Sequence, residues 1–305
     1  MRVLILGAKG QLGWELCRRG ESQGFDILTF YLPELDITDS TAVKKVVTKS
    51  GASVVINAAA YTAVDKAEKE AVKAYQVNAD GAANIARAVE ECSARLIHLS
   101  TDFVFDGNQS KPYLPDDTPN PAGIYGASKL QGERAVMAST PNRAVILRTS
   151  WVYSVHGNNF VKTMLHLMAE RDELKIVADQ VGSPTWAKKL AKAVWLIAAK
   201  TDMHGIYHWT DDGTASWYDF AMAVQEEAHA LGLLQKMIPV KPIKTEEYPT
   251  PAKRPKYSVL DKTSTCTALG HTPPHWRESL KMMLTELKVK SDEVKVKSEE
   301  LGVRS

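Results

Sequence analysis

The first thirteen residues constrain this chain more than any other stretch. Val3-Leu4-Ile5-Leu6 is a short continuous apolar run, the pattern of a parallel strand buried on both faces. Gly7, Gly10 and Gly13 follow at three-residue spacing, and Gln11, Leu12, Trp14, Leu16 and Cys17 begin a helical pattern. A strand that turns through glycines into a helix lets the backbone approach a pyrophosphate closely. The helix start then supplies free N–H groups and positive potential. The plainer alternative is a tight turn with no ligand.

The rest of the first half repeats this alternation. Apolar runs at 26–30, 54–56, 95–99 and 144–149 read as strands, and 40–50, 64–70, 71–92 and the segment after 122 read as helices. Four strand–helix units and a fifth strand before residue 150 predict an α/β fold, a doubly wound, Rossmann-like parallel sheet. Residues 1–150 are expected to form the dinucleotide-binding domain. A smaller, mostly C-terminal substrate lobe is expected over 151–287, interleaved with late elements of the cofactor domain. It contains helices near 160–170, 186–200 and 275–288, a strand near 205–209, a helix capped by Ser216 to about 230, and an irregular proline-rich stretch over 239–255. The tail, 288–305, is rich in charge and poor in apolar periodicity, which predicts fraying or disorder.

Three strand ends and one helix offer chemistry. Ala58, Ala59 and Ala60, followed by Tyr61 and Thr62, stand where open parallel sheets bind ligands, and small side chains admit a flat cofactor; alanines also simply pack helices on sheets. Thr101 and Asp102 end the 95–99 strand and offer a hydroxyl where a carbonyl could lie, or a turn cap. Tyr125 and Lys129 are four apart, so on a helix they share a face. A phenol near pKa ~10 is a poor acid–base group at neutral pH. A neighbouring ammonium is expected to lower that value, although the same spacing fits a half-buried ring beside a solvated lysine. Asp36 and Ile37 are candidates for an adenine edge, and Asp39 for a helix cap. The second strand ends in Thr29-Phe30-Tyr31-Leu32-Pro33, with neither the acid usual for NAD nor the arginine common for NADP, so NADH against NADPH stays open.

The totals exclude several classes. A net charge of +2 on 305 residues is too balanced for nucleic acid or a membrane surface to be the main partner. Three widely spaced cysteines favour a reducing, cytoplasmic setting over a disulfide framework. No apolar run approaches ~20 residues, so no membrane span is expected. No clustered carboxylates or paired histidines compel a metal site.

Taken together, Gly7-x-x-Gly10-x-x-Gly13, Ser100-Thr101-Asp102 and Tyr125-x-x-x-Lys129 resemble the extended short-chain dehydrogenase/reductases. More narrowly, five further segments resemble the dTDP-4-dehydrorhamnose reductases. They are Asn57 to Glu68, Ser100 to Gly107, Asp179-Gln-x-Gly-x-Pro-Thr185, Ser216-Trp-Tyr-Asp-Phe-Ala221 and Arg254-Pro255. The resemblance covers residues 1 to about 287 and implies reduction of a dTDP-ketosugar by NADPH or NADH, the last step toward dTDP-L-rhamnose, with room for a homodimer. It implies Tyr125 as general acid, Lys129 as its electrostatic partner and ribose ligand, and Thr101 as a hydrogen-bond partner of the sugar oxygen. Gly7, Gly10, Gln11, Leu12 and Gly13 would hold the pyrophosphate, Asp36 and Ile37 the adenosine, and Ala58, Ala59, Ala60, Tyr61 and Thr62 the inner side of the cofactor. Val64, Asp102, Phe103 and Trp151 would touch the sugar, and Asn159 and Arg254 the diphosphate, with a surface ion pair as the alternative for Arg254. Phe103 stands where the family commonly has tyrosine. The missing hydroxyl is worth on the order of 0.5–1.5 kcal/mol, which predicts altered affinity with activity retained. Two other readings stay open. One is a nucleotide-sugar epimerase or dehydratase, which returns its hydride; the other is a non-catalytic subunit like the methionine adenosyltransferase β subunit.

Overall fold

Parallel strands need long crossovers, and this chain supplies helices for them. A computed structural model describes residues 1–300. Strands β1 (Arg2–Leu6), β2 (Asp26–Phe30), β3 (Val54–Asn57), β4 (Arg95–Thr101) and β5 (Ala144–Thr149) join a sixth, Gly205–His208, in one sheet. From one edge the order is β2-β1-β3-β4-β5 and then Gly205–His208, with every pair parallel. The chain winds outward from β1 to β2 and returns to β3 on the other side of β1. That reversal opens a crevice at the strand ends, where such sheets bind ligands.

The period-two alternation of strands sorts the core. Val3, Ile5, Val54, Ile56, Ile97 and Val145 face one layer with Leu16, Leu190, Val194 and Trp195. Leu4, Leu6, Val55, Leu96 and Ile146 face the other, with Val43, Val47, Ile85, Val89 and Val136. Both faces are thus covered by helices, which is why these strands read as unbroken apolar runs.

A separate core lies beyond Thr149. Tyr153, Val161, Met164, Met168 and Trp186 pack there with Phe220, Val224, Trp276, Leu280 and Met283. Between those segments the chain returns to the sheet as helix Ala187–Ala199 and strand Gly205–His208. The Ser216 cap is closed reciprocally with Asp219, opening helix Trp217–Ala230. The proline-rich stretch is more regular than its composition suggests, because Val240–Ile243 pairs in parallel with Leu174–Val177.

The tail departs from expectation. The last helix runs from Trp276 to Glu300, so the segment from 288 is helical, and only 301–305 of the expected disordered tail lie outside the described residues. Lysine and glutamate are good helix formers, and a helix already packed over its first turns propagates at little cost. Glu286 anchors the packed part, accepting from Arg18 at 3.2 Å and Lys188 at 2.6 Å.

Candidate active site

The glycine turn meets the carboxyl ends of β2 and β3 backbone to backbone. Gly7 and Ala8 N–H groups donate to the Phe30 carbonyl at 2.9 and 3.3 Å. Gly7 has φ +83°, and a Cβ there would stand 2.6 Å from the Ala59 nitrogen; one on Gly13 would stand 2.2 Å from the Gly7 carbonyl oxygen. No side chain larger than hydrogen fits either position. The helix after Gly10, Gln11–Ser22, has no side-chain cap, so its first N–H groups stay available to an anion. Beside it a cleft of about 270 Å³ is lined by Gly7, Lys9, Gly10, Tyr31, Asp36, Ile37 and Ala58 to Ala60. This cradle fits a dinucleotide.

The expected cofactor residues divide by what their side chains do. Leu12 packs into the core, so it can offer the cradle only backbone. One Asp36 oxygen accepts from Thr38 N at 2.9 Å and Thr38 Oγ1 at 2.8 Å, closing a local turn. Asp39 caps the next helix, as the alternative reading had it. Tyr61 turns its hydroxyl to Glu70 Oε2 at 3.1 Å, while Asn78 clasps its backbone N–H and carbonyl at 2.9 and 3.1 Å. Thr62 is exposed, and its carbonyl accepts from Val64 N, opening the short helix Val64–Ala67.

Tyr125 and Lys129 lie on helix Ile124–Ser139, whose N-cap, Gly123, has no side chain to offer. Glu68 supplies the missing acceptor from elsewhere in the chain, taking the Ile124 N–H at 2.9 Å and placing a carboxylate at the positive end of the helix. The same helix packs so closely on the turn that follows β4 that a Cβ on Gly126 would lie 2.1 Å from the Phe103 carbonyl oxygen. Thr101 at the end of β4 comes beside the Tyr125 phenol and donates to Asp102 Oδ1 at 3.0 Å. Phe103 sets its ring edge-on to Tyr125, centroids 5.6 Å apart, so it lines the site even without a hydroxyl. Ser100 Oγ and Thr149 Oγ1 are buried at the ends of the neighbouring strands β4 and β5 without a partner among the described residues. Buried polar atoms seldom stay unpaired, so this corner suits a polar ligand.

The electrostatics reverse one expectation. Burial pushes the Tyr125 phenol up to about 12, opposed by the Thr101 hydroxyl and helped by the Asp102 carboxylate. Lys129 does not lower it here, because its ammonium points to the sheet and donates to the Leu99 carbonyl at 2.6 Å. Burial in turn draws Lys129 down to about 8, with Glu133 one turn on opposing the shift. Asp102 is raised to about 6 by burial, against the Ser258 and Thr101 hydroxyls.

Behind these residues runs a buried polar row that sequence reading missed. Asn57 accepts from Ala59 N at 3.1 Å through its oxygen, so its Nδ2 donates to His98 Nδ1 at 3.0 Å. The other His98 nitrogen lies 3.5 Å from Lys129 Nζ. Glu133 and Arg148, 2% and 1% exposed, pair through contacts of 2.7 to 3.2 Å and join the catalytic helix to β5. Glu133 is separable only as the next helical turn after Tyr125 and Lys129; nothing in the sequence marks Arg148 as its partner.

The expected sugar side is built by distant segments. Trp151 stacks on Trp217 at 3.5 Å between centroids and has φ +47°, a left-handed conformation that costs a bulky residue roughly 1–3 kcal/mol. Gly182 makes room for it, since a Cβ there would meet the Trp151 indole at 2.7 Å. Two expected diphosphate ligands are otherwise engaged. Asn159 caps helix Phe160–Glu170 and donates to Gln11 Oε1 at 3.0 Å and the Ser154 carbonyl at 2.7 Å, so its amide braces the glycine turn. Arg254 forks onto Asp65 at 3.1 and 2.8 Å, the ion pair of the alternative reading.

A parallel sheet with a glycine cradle at its reversal point, and a hydroxyl–phenol–ammonium set one strand further on, define an oxidoreductase of the extended short-chain dehydrogenase/reductase class. Within it, the chain belongs to the family described as the RmlD substrate binding domain, which matches residues 1–289. A dTDP-4-dehydrorhamnose reductase of Aggregatibacter actinomycetemcomitans is 44% identical, over 92% of this chain and 97% of that protein. The crystal structure of a Clostridium acetobutylicum dTDP-4-dehydrorhamnose reductase superposes with a TM-score of 0.88 at 41% identity, covering 94% of this chain and 100% of that one. The Bacillus anthracis dTDP-4-dehydrorhamnose reductase in complex with NADP gives the same TM-score, 0.88, at 40% identity over 93% of this chain and 99% of that one.

Proposed function

We infer that this protein reduces the C4 ketone of dTDP-4-dehydro-6-deoxy-L-mannose to dTDP-L-rhamnose, using NADPH or NADH. The observation that carries the reading is the meeting of Thr101 and Tyr125 at the end of β4, beside the cradle, in a chain that matches the family almost end to end. When bound, the reduced nicotinamide supplies the hydride to the ketone carbon. Tyr125 gives its proton to the carbonyl oxygen as negative charge develops there. A phenol held near 12 keeps its proton until an alkoxide-like oxygen competes for it. Thr101 orients that oxygen so that one face of the ketone meets the hydride. Lys129, one helical turn on, is held by the Leu99 carbonyl and keeps its remaining N–H groups for the cofactor's ribose. The Ser100 and Thr149 hydroxyls suit a polar group of the ligand, and the Trp151–Trp217 slab suits the apolar face of a deoxysugar. The three cysteines are free and none of the described helices is long and apolar enough to cross a membrane, which supports a cytoplasmic enzyme.

The test is loss of nicotinamide absorbance with the dTDP-ketosugar. Tyr125→Phe is expected to lower turnover by roughly 10²–10⁴-fold while cofactor affinity holds. Wild-type rates in that variant would remove Tyr125 from the chemistry. Product formation without net cofactor consumption would mean an epimerase or dehydratase, and binding without turnover a regulatory subunit.

A further inference from the structure

We propose that His98 is a positioning residue of this site: a tautomer imposed by Asn57 turns its Nε2 hydrogen toward the Lys129 amine, and so sets the pH at which Lys129 gives up its charge and with it a hydrogen bond to the cofactor. This rests on reading Lys129 as a ligand of the cofactor's ribose. Asn57 and His98 are register partners on β3 and β4, each 1% exposed. The Asn57 oxygen is taken by Ala59 N, so Nδ2, which can only donate, meets His98 Nδ1 at 3.0 Å. Nδ1 must accept. A neutral imidazole then carries its hydrogen on Nε2, which lies 3.5 Å from Lys129 Nζ. The ring is neutral, because burial and then the Lys129 ammonium hold it well below its usual range.

An N–H aimed at an ammonium opposes its charge, whereas the same N–H aimed at an amine finds a lone pair. Charged Lys129 gives one N–H to the Leu99 carbonyl and keeps two. The neutral amine, accepting from Nε2–H, keeps one. His98 therefore favours the neutral form without bearing a charge itself. Burial acts in the same direction and draws Lys129 down to about 8. Against both stands Glu133 on the same helix, itself shared with Arg148 of β5. The carboxylates of neighbouring segments serve other groups: Asp102 bears on Tyr125, and Glu68 holds the helix start.

Nitrogen-15 NMR of the histidine-labelled protein reads the tautomer directly, the His98 signals being those lost in His98→Asn. A hydrogen on Nε2 alone is expected at neutral pH; one on Nδ1, or a doubly protonated ring, overturns the proposal. NADPH affinity, followed by cofactor fluorescence with no sugar present, should fall in the wild type as pH rises through about 8. Asn57→Asp puts a carboxylate beside Nδ1, which draws the hydrogen there and makes Nε2 an acceptor. It should move that fall upward by about one pH unit or more. His98→Asn, whose side chain ends short of the Nε2 position, should move it the same way by less. A histidine that only packs would weaken binding at every pH and leave the midpoint in place. Affinity that is flat across this range in the wild type, or a midpoint unmoved in both variants, overturns the proposal. Neither result touches the reductase reading, and a failed sugar assay leaves the tautomer and the affinity profile standing.

Discussion

The two sides of this site are made of different material. Around the cradle, backbone meets backbone: Gly7 against Ala59, Gly13 against Gly7, Gly126 against the carbonyl of Phe103. Around the sugar side, side chains do the shaping: Trp151 on Trp217, Gly182 under Trp151, Asn159 bracing Gln11. A main chain inside a sheet and its crossovers cannot yield by tenths of an ångström without moving whole elements, whereas an indole can turn. One side is therefore rigid and generic, fitted to a cofactor that many enzymes share, and the other is adjustable and fitted to one substrate.

Four substitutions bear on that contrast. The largest effect is expected where the catalytic helix is tied to the sheet. Glu133→Ala strands a buried arginine, and breaking such a pair costs ~3–5 kcal/mol, read as a fall in the urea midpoint. A midpoint within error of wild type would mean that helix and sheet are held by packing alone. Gly13→Ala should come next, at about 1–3 kcal/mol of overpacking, with weakened binding of both nicotinamide cofactors because the colliding atoms are backbone. Gly182→Ala meets only an indole that can shift. It should raise the KM for the ketosugar several-fold, leave cofactor affinity alone, and cost less stability than Gly13→Ala. If the two alanines behaved alike, the division into rigid and adjustable sides would fail.

The last effect is a pH dependence in the second core, which builds up only as the pH rises. Asp211 is fully buried there, accepts from Trp186 N at 3.0 Å, and is raised by burial from 3.8 to about 7. A carboxyl whose folded pKa exceeds its unfolded value favours folding when protonated and loses that contribution as pH rises from about 3.8 to 7. Asp211→Asn should match the wild type at pH 4 and exceed it in stability at pH 8. Parallel stability curves across that range would show that the carboxylate is paid no penalty for its burial.

How far each side was legible follows from the same contrast. Val3 to Leu6, Gly7, Gly10, Gly13 and the Tyr125–Lys129 spacing announce themselves locally, because strand, turn and helix periods are properties of neighbours in the chain. The Ser216 cap was legible for that reason too. Glu68 at the helix start, Asn78 on the Tyr61 backbone and Trp217 on Trp151 were not, since each acts across 17 to 66 residues of chain. Arg254 shows what a motif leaves open: a guanidinium is equally ready for a phosphate or a carboxylate, and only the fold shows that Asp65 stands within its reach.

By itself, then, the order of amino acids determined the alternation of strands and helices, the crevice at the sheet's reversal point and the identity of the candidate hydroxyls. Only tertiary structure decided which way those groups face: that the Lys129 ammonium turns to the Leu99 carbonyl, that the phenol is left with Thr101 and Asp102, and that Lys9 stands over Tyr31. The physical reason is range. Backbone periodicity is set within a few residues, whereas dehydration and charge at a site are summed over every segment the fold brings there.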